Sequence, residues 1–144
     1  MNSSAFVDAL AQKAARIERC VQRARDERTL AGAGFAADFS RQDAALLNIQ
    51  RACEQALDMG NMVIAREGWG LPRSARDIFA TLTERGIIPA ELASALQRMV
   101  GFRNLAVHEY QNLDLAIVTS VIDRELGCLT QLAGIVLTRY RQPE

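Results

Sequence analysis

The sequence predicts an all-α protein, a bundle of about five helices. Apolar residues recur at three- and four-residue intervals along nearly the whole chain, the spacing that lays them on one side of a helix. Aromatic residues make up only 6% of the 144 residues, and valine and isoleucine form no period-two runs of the kind a half-buried strand requires. There is no internal repeat and no low-complexity linker, so the chain reads as a single domain over 1–144, long enough to bury a sizeable core.

A first helix begins near Ser3 or Ser4, either of which can cap it. Phe6, Leu10, Ala14, Ile17 and Val21 form its apolar stripe. Leu30-Ala31-Gly32-Ala33-Gly34 breaks the pattern, and Ser40-Arg41-Gln42-Asp43 reads as a capping start. The second helix then runs to about Arg66, through Leu46, Leu47, Ile49, Ala52, Cys53, Ala56, Leu57, Val63 and Ile64. Gly68-Trp69-Gly70-Leu71-Pro72 ends it as a loop, in which Trp69 is expected to anchor the chain to the core.

Ser74-Ala75-Arg76-Asp77 is a second capping signature, opening a short helix with Ile78, Phe79 and Leu82 inward and Gly86 as its stop. Pro89 suits the first turn of a fourth helix carrying Leu92, Leu96, Met99, Val100 and Phe102. Asn112 or Asp114 caps a last long helix, with an apolar stripe from Leu115 through Val118, Ile122, Leu126, Leu129 and Leu132 to Val136.

Composition removes several classes of function. No run approaches the roughly 18 apolar residues of a membrane span, and the start of the chain lacks the basic and apolar regions of a secretion signal. A soluble, cytoplasmic protein with no membrane partner is expected. Cys20, Cys53 and Cys128 are odd in number and far apart, and there is one histidine, so neither a zinc site nor a disulfide framework is expected. Buried small hydrophobes are the expectation for all three, and no metal or cofactor is implied. The 17 basic and 17 acidic side chains cancel, so any polyanion site must be local. Arginine supplies every basic side chain except Lys13, and its fork suits phosphate.

The chemistry concentrates in Arg103-Asn104-Leu105-Ala106-Val107-His108-Glu109-Tyr110, which holds the sole histidine and one of two tyrosines. An imidazole exchanges a proton near neutral pH, and a guanidinium is a permanent cation that grips phosphate. Helix residues turn by about 100° each, so Arg103 and His108 would face about 140° apart on an unbroken helix. Either the helix unwinds before His108, or a second copy of the chain completes the site, or both. Cutting RNA without metal needs a base for the 2′-hydroxyl proton, an acid for the leaving oxygen and a cation on the phosphate. These residues supply each, and Asn104 could position a phosphate or hold the backbone at the helix end. The plain alternative is that His108 and Tyr110 merely finish a helix.

The pattern Arg103-Asn104-x-x-x-His108-x-Tyr110 resembles the RX4HXY motif of HEPN-type toxins of the HepT kind. The likeness extends over most of residues 40–125, through Arg51 to Gly60, Asp77-Ile78-Phe79-x-x-Leu82, Gly86 to Pro89 and Met99 to Asn104. The resemblance implies a homodimeric, metal-independent endoribonuclease of a type VII toxin–antitoxin pair, acting on tRNA or mRNA, with Arg103 and His108 as its catalytic pair. It also implies an MntA-type nucleotidyltransferase antitoxin that transfers AMP to Tyr110. A non-catalytic nucleotide- or substrate-binding subunit of a nucleotidyltransferase complex is the alternative reading, and an all-α scaffold is a third.

Other residues carry weaker expectations. Arg16, Arg19 and Arg23 share a face of the first helix and read as solvated. Glu54 and Asp58, four apart on the second helix, could support the site or pair with an arginine.

Overall fold

The computed structural model describes residues 2–109 and 112–141, which fold as a helical bundle with short connections. Helix α1 covers Ser3–Ala31, and its cap is Asn2, whose side chain accepts from the Ala5 N–H at 2.8 Å. The two serines thought to cap it already lie in the first turn, because Asn2 satisfies the same orphan donor one residue earlier. Phe6, Leu10, Ile17 and Val21 are buried as the stripe requires, with Ala14 packed beside them.

Gly32 takes the positive φ of +54° that ends α1 and opens a 3-10 turn over Gly32–Ala37, which buries Phe35. Helix α2, Phe39–Glu67, starts at Asp38, whose carboxylate accepts from the Arg41 N–H at 3.1 Å. The Ser40–Asp43 quartet therefore sits inside the helix rather than before it. Gly68, at φ +72°, closes α2 in the left-handed conformation. Trp69 then packs half-buried against the core under the Arg85 guanidinium, 5.3 Å from its ring centre.

Helix α3, Ala75–Glu84, is capped by Ser74, and Asp77 returns a bond to the Arg73 N–H at 2.9 Å, as its sequence signature indicates. Helix α4, Ala90–His108, is preceded by Pro89 at its N-cap. The last rod is less regular than its stripe suggests. Asp114 caps α5, Leu115–Ser120, a wide π-helical turn follows over Val121–Glu125, and α6 runs over Gly127–Arg141. Val118, Ile122, Leu126 and Leu129 stay buried through the wide turn, so one inward face serves all three segments.

Helices α1 and α2 pack along their lengths, α6 lies on α1, and α3 bridges α2 and α4. At Gly60 a Cβ would run into Ile78 Cγ2, so glycine sets the close approach of α2 and α3. One contiguous core results, and Asn48 is the single buried polar residue among those described, its amide donating to Ala44 O at 2.8 Å. All three cysteines are free and buried, as expected. Leu47, counted in the α2 apolar run, is instead 44% exposed. No helix among the described residues is long and apolar enough to cross a membrane.

Candidate active site

Arg103 to His108 occupy the last two turns of α4, where that helix runs beside α2. Arg103 is half-buried between the two helices. Its Nη1 donates to Asn104 Oδ1 at 3.0 Å, and its Nη2 lies 3.5 Å from Glu54 Oε1 of α2. The same Glu54 oxygen accepts from Gln50 Nε2 at 3.2 Å, one helical turn earlier. Arg103 Nε is buried without a hydrogen-bond partner among the described residues. The guanidinium is thus tied at its two outer nitrogens and closed off along its Nε edge.

Cys53 is buried in the core close by, with its thiol donating to Met99 O at 4.0 Å. Burial first, and Cys128 second, push its pKa up to about 12 against the opposing pull of Arg103. Burial likewise raises Cys128 to about 11. Both remain neutral thiols across the physiological range, and neither is equipped to act as a nucleophile.

His108 is exposed in the final turn of α4. The helix does not unwind before it: Glu109 is the C-cap, its N–H donating to Leu105 O at 2.8 Å. One of the two geometric alternatives is thereby overturned. Regular helix geometry sets Arg103 and His108 about 140° apart on this unbroken helix, an arrangement in which one chain does not easily aim both at one atom. The same continuity removes the idea that Asn104 holds a helix end. Its side-chain oxygen fixes the Arg103 fork instead. Tyr110 lies outside the described residues.

Of the two carboxylates singled out on α2, the structure brings only Glu54 to Arg103. Asp58 pairs with Lys13 of α1 at 3.1 Å and is half-exposed. One turn along α2 is enough to change the neighbouring helix from α4 to α1. Arg16, Arg19 and Arg23 lie exposed on α1, as a solvated face would. Among the described residues no group of histidine, cysteine, aspartate or glutamate could hold a metal ion.

Sequence reasoning missed two features. Gln50 is a polar residue four positions before Glu54, a helical pair that the spacing alone contains. The second is an open, largely apolar groove of about 460 Å³ between the end of α4 and α5, lined by Phe102, Leu105, Ala116 and Ile117. Leu105, Val107 and Ile117 are 39%, 45% and 46% exposed, so apolar surface flanks the motif directly. Leu105 and Val107 sit inside the motif itself, and apolar residues at solvent-facing positions were the available signal.

Comparison with known proteins agrees with this geometry. The family described as "Ribonuclease HepT-like" matches residues 11–134. The chain is 37% identical over 129 residues to the mRNA nuclease HepT of Shewanella oneidensis, covering 90% of this chain and 96% of the relative. It superposes with a TM-score of 0.84 on the tri-AMPylated Shewanella oneidensis HEPN toxin in complex with an MNT antitoxin, at 36% identity, covering 94% of this chain and 98% of that one. A toxin–antitoxin structure with AMP-PNP is similar at a TM-score of 0.84 and 35% identity, covering 94% and 99% of the two chains. The all-helical fold, the position of the motif at the end of α4 and the span of the match lead to one conclusion: this chain belongs to the HepT-like ribonuclease family.

Proposed function

We propose that the protein is an RNA-cleaving toxin that acts as a homodimer and needs no metal, and that AMP transfer to Tyr110 by an MntA-type nucleotidyltransferase antitoxin neutralises it. The observation that carries this reading is the unbroken helix through His108, on which Arg103 and His108 point apart. A two-fold partner repairs that defect. It brings the imidazole of one subunit toward the guanidinium of the other across a shared cleft, and the exposed Leu105, Val107 and Ile117 give such a partner apolar surface beside the motif.

In that cleft one imidazole takes the 2′-hydroxyl proton of the RNA. The freed oxygen attacks the adjacent phosphorus, the P–O5′ bond breaks, and the second imidazole returns a proton to the leaving oxygen. Arg103 stabilises the charge that gathers on the non-bridging phosphate oxygens. AMP on Tyr110, two residues beyond His108, would place a phosphate and a nucleotide's bulk where substrate must enter. The relative solved as an AMPylated toxin with its MNT antitoxin supports this form of control.

The test is direct. Arg103→Ala and His108→Ala each abolish RNA cleavage and toxicity, while a chelator leaves wild-type cleavage intact. Wild-type protein that cuts no RNA, together with a double variant that stays equally toxic, defeats the nuclease reading.

A further inference from the structure

Strand cleavage needs an imidazole and a cation, and its chemistry does not by itself require the carboxylate of Glu54 that faces Arg103. We propose that Glu54, itself held by Gln50, is a positioning residue that fixes the Arg103 guanidinium in the orientation that meets the scissile phosphate. This inference rests on the ribonuclease reading above and names what aims its cation.

An arginine on a helix surface has long, rotamer-rich reach, and its value to a transition state depends on how little of that freedom must be lost on binding. Here the freedom is already restricted. Asn104 on the same helix takes Nη1, Glu54 on the neighbouring helix takes Nη2, and the Nε edge is buried. Two oxygens from two elements therefore define the plane of the fork. The outer N–H groups not used by them remain as the surface on which a phosphate can be received.

Stability does not account for the carboxylate. Glu54 is 42% exposed and Arg103 29%, and ion pairs this wet contribute little to folding. Gln50 does for Glu54 what Glu54 does for Arg103. Its amide donates to Oε1 at 3.2 Å, the same oxygen that faces the guanidinium. The series Gln50, Glu54, Arg103, Asn104 thus crosses from α2 to α4, so the attitude of the cation is set by the packing of two long helices. Asp58, one turn further along α2, is bound to Lys13 and takes no part. A guanidinium displaced by even a fraction of its length loses much of the advantage of preorganisation.

Steady-state cleavage of a single-stranded RNA by the dimer, with thermal melting in parallel, tests the proposal. Glu54→Gln is expected to lower kcat by about tenfold or more with KM nearly unchanged, at an unaltered melting temperature. Glu54→Asp recovers part of the rate. Gln50→Ala gives a smaller loss, and the Gln50→Ala/Glu54→Gln double variant is no worse than Glu54→Gln alone, since both act through one oxygen. Glu54→Gln cutting at the wild-type rate or faster overturns the proposal, and so does a loss that follows a fallen melting temperature and vanishes on cooling. Arginine side-chain NMR reads the guanidinium without any cleavage. The Arg103 Nε–Hε signal is expected to be dispersed and slowly exchanging in wild type and to lose both traits in Glu54→Gln. An unchanged signal refutes positioning by itself. Wild-type protein that shows the ordered signal but cuts no RNA would instead count against the ribonuclease reading alone.

Discussion

The Arg103 side chain shows how a protein of zero net charge can still address a polyanion. The cation is local, shared between α4 and α2, and answered by one carboxylate, so in the proposed function the field offered to RNA comes from a few groups rather than the whole surface. The proposed catalytic residues stand out in the sequence because they are scarce: one histidine leaves one place for an imidazole. The supporting residues were less so, because spacing puts Glu54 and Asp58 on one face but does not say which neighbour each meets. Tyr110→Phe is expected to cut RNA as wild type does and to remain unmodified by mass spectrometry when co-expressed with the transferase. A persisting AMP adduct on that variant would place the acceptor elsewhere.

The buried thiols make a second prediction at the residue scale. Cys53 and Cys128 have folded pKa values raised from 9.0 to about 12 and about 11, so folding favours their neutral forms. The sign follows: this contribution is fully present below pH 9.0, the unfolded value, and is lost as pH rises through the folded values of about 11 and 12. Denaturant midpoints should therefore fall across that alkaline window, and fall less in a Cys53→Ala variant compared with its own midpoint below pH 9.0. A thiol reagent should leave both cysteines unmodified below pH 9.0 until the protein unfolds.

At the level of elements, the apolar periodicity located the long helices but not the 3-10 turn at Gly32–Ala37, and three further details escaped it. Caps moved by one or two residues because Asn2 and Asp38 offer side-chain oxygens just ahead of the serines that pattern reading prefers. The wide turn at Val121–Glu125 is invisible to spacing, since four-residue steps from Val118 to Ile122 to Leu126 fit a regular and a widened helix alike. Leu47 lies on the exposed side of α2 although its residue type suggests otherwise. Gly60 offers a prediction at this scale. Gly60→Ala forces a methyl into Ile78 at the α2–α3 crossing, and destabilisation of about 1–3 kcal/mol is expected from overpacking, measured by denaturant unfolding. An unchanged midpoint would mean that α3 yields freely.

For the whole molecule, the proposed site belongs to two chains. The unbroken α4 sets Arg103 and His108 on different sides of one helix, and an apolar groove lined by Leu105 and Ile117 runs between the end of α4 and α5. The all-α class could be read from the residues. The proposed shared cleft could be read only as a need, because a single sequence shows which groups would have to meet and not the surface that would bring them together. Subunit mixing tests this most directly. Arg103→Ala and His108→Ala proteins are each inert alone. Unfolded together and refolded, they form mixed dimers that pair an intact arginine on one chain with an intact histidine on the other. The account predicts that RNA cleavage reappears in the mixture, at a reduced rate because one imidazole must work without its twin. A mixture that forms mixed dimers yet stays as inert as its parents would contradict it.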